Sequence, residues 1–317
     1  MKIDQISNLS IRSAGLLAKI VEVAPLFQYA EFRQDPSEYA NIPDKSTFTG
    51  TSVRAEGAAV QRDGQIPTPS YKRLAIYERE ITIDNLRKLD ANVTGSPTAL
   101  KTFMDRQVNA LAMRLAEEVQ AAMFIGSDAA NQMLGISNFV RDAAAAGQTA
   151  NLGFTTTEQA AMNQNVSLQL NTTANQDTFV EQLYHALGLI AGANAIICNT
   201  NLAARLMTIA KRLGAAGETI NSFGNPVTTF NNVPIVAVGT GVIPQTETDG
   251  VNTDNTSLYI ARFAEELGVC FTTNSGFYFE DFPLDVAMPD AKARIGFYLN
   301  LAVEKQNSLL RLSRIRL

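Results

Sequence analysis

The sequence is poor in the side chains that do chemistry. A single histidine, His185, and two cysteines, Cys198 and Cys270, are spread over 317 residues. Zinc needs several Cys and His at close spacing, and one His with two distant Cys cannot supply it. A Ser-His-Asp triad would have to use His185. That residue stands at Tyr184-His185-Ala186, inside a helical pattern, and no nucleophile-elbow sequence occurs anywhere. Cys198 with His185 is formally a Cys-His pair, but Cys198 ends the apolar run Ala195-Ile196-Ile197-Cys198 and is expected in a buried strand. Cys270 ends a similar run, Leu267-Gly268-Val269-Cys270. Both read as buried free thiols, and nothing resembles a disulfide framework.

Other signatures fail in the same way. Gly239-Thr240-Gly241 is followed by Val242-Ile243-Pro244, so neither a P-loop nor a dinucleotide fingerprint exists. The acidic pairs Glu265-Glu266 and Glu280-Asp281 read as exposed carboxylates rather than acid-base machinery. Asp249-Gly250-Val251-Asn252-Thr253-Asp254 looks like half of a calcium loop without its terminal Glu, so a polar loop is expected. No enzyme activity, cofactor or metal is expected. No stretch approaches the roughly 18 consecutive apolar residues of a membrane span, and Met1-Lys2-Ile3-Asp4 does not open a signal peptide. The expectation is a chain made in a reducing cytosol, with no membrane partner.

Charge is also scarce. Charged residues make up 18% of the chain, below the usual quarter, which leaves neutral surface that large interfaces could bury. The net charge of −5 does not read as a dedicated nucleic-acid binder, although an acidic wall can tolerate DNA. Hydrophobic residues reach 46%, enough to exclude disorder over the whole length.

What is present is an order of elements. Residues 1–45 lack sustained periodicity; Leu16, Leu17, Ile20, Val21 and Val23 suggest at most a short helix. The stretch 31–45, with Pro36 and Pro43, reads as an extended arm that must lie on something else to become ordered. Residues 46–84 favour strands, with the hairpin signal Asp63-Gly64 midway. Arg54, Glu56, Arg62, Asp63, Lys72, Arg73, Glu78, Arg79 and Glu80 charge both flanks, so this hairpin does not belong inside a core. An arm reaching into solvent or onto a neighbouring subunit and a surface hairpin without a partner both fit.

The clearest helix is 97–125. Ser96 suits the N-cap and Pro97 the first helical position. Apolar residues then recur in steps of three and four at Leu100, Phe103, Met104, Val108, Leu111, Leu115, Val119, Ala122 and Met123. Its length, about 42 Å at 1.5 Å per residue, suits a spine for a sheet. Residues 129–176 read as loops and weak strands. Helices follow at 177–190 and 201–213, the second capped by Asn199 or Thr200, around a buried strand at 195–198. Strands at 227–238 are broken by Asn231-Asn232, and 244–257 reads as a loop. Further strands are expected at 258–263, 268–273, 277–282, 294–303 and 309–317. The basic end, Lys305, Arg311, Arg314 and Arg316, could touch DNA or a partner by charge. Protection of an edge strand explains it equally well.

This order of parts resembles the major capsid protein of tailed bacteriophages, with an α+β Hong Kong phage-type capsid fold. The most specific signals are the spine helix and the pair Phe223-Gly224-Asn225-Pro226-Val227 and Asn232-Val233-Pro234-Ile235-Val236, preceded by the strand-Asn-helix unit Ala195-Ile196-Ile197-Cys198-Asn199. Family members also run from a Gly-rich turn, here Phe124-Ile125-Gly126-Ser127-Asp128, into a strand at Leu134-Gly135-Ile136. The resemblance implies an N-terminal arm (1–45), an E-loop hairpin (46–84), a peripheral domain (85–176, spine 97–125), an axial domain (177–267) and a second peripheral part (268–317).

The same resemblance implies a structural head protein that self-assembles as hexamers and pentamers into an icosahedral shell around a phage genome. E-loops would lie over neighbours and arms would lace them, each weak contact being multiplied by closed symmetry. The nine charged residues of the hairpin are the intersubunit candidates. Partners would be a separate scaffolding protein, a portal, decoration proteins and, non-specifically, packaged DNA. The place would be the virion capsid, assembled in the bacterial cytoplasm. Some members crosslink an E-loop Lys to an Asn; the tip here, Arg62-Asp63-Gly64-Gln65, holds no Lys, and the aligned position reads Gly296-Phe297, so no isopeptide ladder is expected. The alternative is an encapsulin-type nanocompartment shell that packages enzymes.

Overall fold

The computed structural model describes residues 2, 14–35, 38–41, 70–84, 97–127, 132–140, 168–220, 226–248, 250–282 and 290–317. Along the chain come helices α1 (Ala14–Val23) and α2 (Leu26–Tyr29), then strands β1 (Phe32–Gln34), β2 (Glu38–Asn41), β3 (Ser70–Arg73) and β4 (Ala75–Asp84). The spine helix α3 is Pro97–Ile125. Next are β5 (Leu168–Gln169), α4 (Thr173–Leu189), β6 (Ala195–Asn199) and α5 (Thr200–Arg212). The remaining described strands are β7 (Ala216–Ile220), β8 (Pro226–Phe230), β9 (Val233–Val238), β10 (Asn255–Ala261), β11 (Val269–Thr273), β12 (Phe277–Phe282), β13 (Asp290–Val303) and β14 (Leu309–Arg316).

Two sheets organise these elements. In the first, β13 is the long central strand. It pairs with β4 along one edge, and with β11 and β12 along the other, all antiparallel. Strand β1 adds parallel to β11. The second sheet runs β5-β14-β10-β6-β9-β8-β7. Its centre is a parallel pair, β6 with β9, whose crossover contains α5. All five residues of β6 are buried, as expected of a strand covered on both faces. Alternation sends Ile196 and Cys198 into the core under α4 and α5, and Ala195 and Ile197 into a core shared with the first sheet. Phe124 of the spine stacks edge-on against Tyr259 of β10, with centroids 5.4 Å apart, so the two sheets close on one continuous interior.

Local chemistry explains the boundaries. The Asn199 side-chain oxygen accepts from the Leu202 amide at 2.8 Å, capping α5, and its amide donates to Thr256 Oγ1 at 2.8 Å. Asn231 and Asn232 both adopt positive φ, 48° and 64°, the two-residue primed turn that hairpins favour. Helix α3 turns its buried stripe, Ala112, Leu115, Ala116, Val119 and Met123, onto the first sheet.

Where α3 ends, its last carbonyls are taken up locally. Ser137 Oγ donates to Phe124 O at 2.7 Å, Asn138 Nδ2 to Gly126 O at 2.7 Å, and the Gly135 amide to Gly126 O at 2.9 Å. The strand expected around Leu134–Ile136 is instead a loop entering a 3-10 turn, Ile136–Asn138, because this backbone is spent closing the helix. The approach is close enough that a Cβ on Gly135 would lie 2.4 Å from Phe124 O and 2.7 Å from the Gly126 nitrogen. Gly135→Ala is therefore expected to destabilise by about 1–3 kcal/mol through overpacking, read as a lower denaturant midpoint.

The short helix suggested by Leu16–Val23 is α1, and the start of the stretch read as an extended arm, 31–34, is built into the fold: Ile20, Leu26, Phe27, Ala30 and Phe32 are wholly buried in the main core. Buried Gln120 of the spine accepts from the Leu26 amide at 3.1 Å, and Lys2 Nζ reaches Glu31 at 2.9 Å. Likewise 268–317 does not lie in one unit. Strand β14 pairs with β10 in the second sheet, where Leu310, Leu312 and Ile315 fill the core against α4 and α5.

Candidate assembly interface

The charged hairpin was the sequence's main candidate for intersubunit contact. Arg54, Glu56, Arg62, Asp63 and the turn Asp63-Gly64 lie outside the described residues. The root is described. Strands β2 and β3 pair antiparallel, Glu38 opposite Arg73 and Asn41 opposite Ser70. The chain thus leaves at Asn41 and returns at Ser70 in register. The outgoing strand starts inside the stretch that composition assigned to the arm. Lys72 sits opposite Tyr39 in this ribbon, and Arg73 is exposed beside it.

The return strand does not project. Over ten residues β4 pairs with β13, with Ala75 and Tyr77 turned into the core. Tyr77 is held there by the Met133 amide, which donates to its hydroxyl at 3.2 Å. Arg79 pairs with Glu118 of the spine helix at 2.5 Å. Glu80 faces Arg294 at 3.5 Å and Lys292 at 3.7 Å across the strands. Arg79 and Glu80 are thus engaged within the chain, and their charge reflects a solvent-washed sheet with one covered face.

Glu78 anchors a feature that charge counting missed. Tyr278 and Tyr298 stack with centroids 5.3 Å apart. Both hydroxyls donate to the Glu78 carboxylate, that of Tyr298 at 2.7 Å. Gly296 makes room, since a Cβ there would meet the Tyr278 hydroxyl oxygen at 2.5 Å. The cluster ties β12, β13 and β4 together. Strand alternation carried the signal: Tyr278, Gly296 and Glu78 are register partners on one face.

The hydrogen bonds from Tyr278 and Tyr298 hold the Glu78 carboxyl below its ordinary range. A depressed folded value means stabilisation that is complete above the unfolded pKa and lost as pH falls through the folded one. Wild type is expected to be more stable than Glu78→Gln at pH ~6, with the gap closing towards pH ~3. Urea titrations at several pH values check this.

At the other end, β10 and β14 carry a second polar network. Arg311 pairs with Glu247 at 3.0 Å, donates to Ser257 Oγ at 2.9 Å and lies 5.7 Å over the Tyr259 ring. Arg316 pairs with Asp254 at 2.6 Å and donates to Asn252 at 3.0 Å. Two members of the basic end therefore brace the 244–254 loop, and Asp254 serves an arginine. Val251 in that loop is 87% exposed, and Ile220, at the end of edge strand β7, is 73% exposed.

The catalytic candidates are far apart in character. His185 is exposed on α4, whereas Cys198 is sealed in β6, its thiol pushed up to about 12 by burial. Cys270 is likewise buried and free, raised to about 12 mainly by burial. Neither forms the thiolate that nucleophilic chemistry uses near neutrality. Among the described residues no group of three or more His, Cys, Asp or Glu could hold a metal. No described helix is long and apolar enough to cross a membrane.

No known protein family matches the chain by sequence, and no curated protein does. Solved structures do match. The SrpI encapsulin complex from Synechococcus elongatus PCC 7942 is 13% identical with a TM-score of 0.60, over 92% of this chain and 88% of that one. The capsid of the native GTA particle is 15% identical with a TM-score of 0.55, over 92% and 90%. The capsid of cyanophage P-SCSP1u is 12% identical with a TM-score of 0.51, over 92% and 87%. The likeness covers 92% of this chain in each case and is one of architecture. The chain has the Hong Kong phage-type capsid fold.

Proposed function

We propose that this protein is a major capsid protein, assembling as hexamers and pentamers into an icosahedral shell around a phage genome. The observation that carries the reading is the extent of the match: the fold shared with shell proteins takes up 92% of the chain. In this reading the first sheet and the spine form the peripheral domain. The second sheet, β14 included, forms the axial domain, and residues 42–69 form the loop laid over a neighbour. The nine charged residues stay as contact candidates, with Glu78, Arg79 and Glu80 setting the ribbon's root rather than its tip. Scaffolding protein, portal and decoration proteins would be the assembly partners, and the reading gives the protein no catalytic role.

The encapsulin reading is favoured by one observation, the TM-score of 0.60 to SrpI against 0.55 and 0.51 for the two capsids. Contents separate the two. Particles purified from the source should hold nuclease-protected DNA of genome length. Particles filled with one or a few proteins and free of DNA would turn the assignment to a nanocompartment.

A further inference from the structure

Most cations described in this fold are spoken for. Arg33, Arg79, Arg212, Lys292, Arg294, Arg311 and Arg316 all stand in ion pairs. Three that do not are gathered in one place. Lys19 of α1 and Arg106 and Arg114 of α3 line an open cleft of about 490 Å³, together with Asn109, Met113 and Glu117. All three cations are exposed, and none has an ion-pair partner among the described residues. Positions 106, 109, 113, 114 and 117 share one helical face. That face points away from the stripe Leu115, Val119 and Met123 that α3 buries on the sheet.

The wall of the molecule is thus electrically two-sided. On the far side of the first sheet, alternation places Glu78, Glu80 and Glu280 in solvent, with Lys292 and Arg294 paired to Glu80. On the helix side Arg79 pairs with Glu118, while Lys19, Arg106 and Arg114 have no ion-pair partner among the described residues. The chain as a whole carries −5, so a polyanion is repelled from most of its surface and attracted at this cleft.

We propose that the cleft between α1 and α3 is a contact site for the phosphate backbone of nucleic acid. This rests on the capsid reading for the identity of the polyanion. Arg106 and Arg114 are eight residues, about 12 Å, apart along the helix axis. A duplex carries one charge per roughly 1.7 Å of its axis, so any 12 Å of it offers about seven phosphates and both guanidinium groups engage without a fixed register. Guanidinium suits this role through its forked donors. The cleft carries no aromatic side chain for stacking on bases and no buried polar group for reading them, so the contact is indifferent to sequence. Glu117, one turn from Arg114, and Glu22, one turn from Lys19, moderate it. Such a site suits a genome that must be enclosed, packed and later released.

The test uses the dispersed full-length protein and a labelled, mixed-sequence duplex of about 30 base pairs, followed by anisotropy across a salt series. Arg106→Gln with Arg114→Gln should weaken binding about tenfold or more near 0.1 M salt. It should also lower the slope of log K against log salt by about 1.8, the share of two phosphate contacts. Lys211→Gln with Arg212→Gln removes the same charge elsewhere, on the surface of α5, and should bind as wild type does. Both pairs are surface changes, and matched thermal midpoints exclude misfolding. Equal losses from the two pairs, no loss from the first, or a wild type that ignores the duplex would overturn the proposal. So would a polyglutamate peptide that occupies the cleft while the duplex does not. Electron microscopy of the same samples separates the two levels: shells without duplex binding sink this inference and leave the capsid reading standing. Duplex binding lost only in the Arg pair, from protein that never forms shells, supports the phosphate site and sinks the capsid reading.

Discussion

Phe27→Ala is expected to cost about 3–5 kcal/mol, the range for removing a buried aromatic from a packed core. Phe27 is fully buried and touches three rings: Phe277 at 5.5 Å, Phe297 at 5.9 Å and Phe32 at 6.3 Å between centroids. Phe277 and Phe297 in turn stack at 4.3 Å across β12 and β13. The ring set joins a segment near the N-terminus to strands 250 to 270 residues on. Losing its centre removes transfer free energy and leaves a cavity where the N-terminal elements meet the sheet. Against a typical stability of about 5–15 kcal/mol, this is a large fraction. Urea denaturation should show a lower midpoint at unchanged slope. A loss under about 1 kcal/mol would mean that α2 and β1 are only loosely laid on the sheet.

The second large effect is on assembly rather than folding. Replacing residues 42–69 by Asn-Gly should leave the subunit folded and unable to form shells. Asn41 and Ser70 are register partners in the β2–β3 ribbon, and Asn-Gly is the dipeptide that closes such a pair with a primed two-residue turn. The main core uses nothing from the deleted stretch among its described members, so the thermal midpoint should shift by a few degrees at most. If 42–69 is the loop that lies over a neighbour, each subunit loses that contact. Closed symmetry then multiplies the loss over every interface. Shells that assemble normally without it would remove the loop from the account of assembly.

The legible parts of this fold were those written in short-range chemistry. Helix α3 was read to the residue at both ends, because Pro97 opens it and a three-and-four apolar stripe fills it. The Asn231-Asn232 turn was equally plain, and the cap of α5 was narrowed to Asn199 or Thr200, of which Asn199 serves. Strands β6, β11 and β12 stood out as short β-rich runs.

What escaped was written in long-range pairing. Ile20, Leu26, Phe27 and Phe32 follow no period, because they sit on three short elements rather than one. Their burial depends on β1 finding β11, some 240 positions away. Strand β14 alternates Leu or Ile with Arg and could have joined either sheet; its partner, β10, decides the second. Strand β7, Ala-Gly-Glu-Thr-Ile, has no pattern because it is an edge with little to bury. The charged hairpin was found by its charges, yet Glu78 and Arg79 proved to be bound to tyrosines and to the spine helix. Composition marks such residues as wet but cannot say whom they hold.

One measurement bears on the shell itself: electron microscopy of the purified protein at high concentration, alone and coexpressed with a scaffolding protein from the same source. Closed round particles of uniform size, or rings with five and six subunits, are the predicted result. Protein that stays monomeric or dimeric under both conditions would contradict the account, since a shell subunit that never meets its own copies has no function in it.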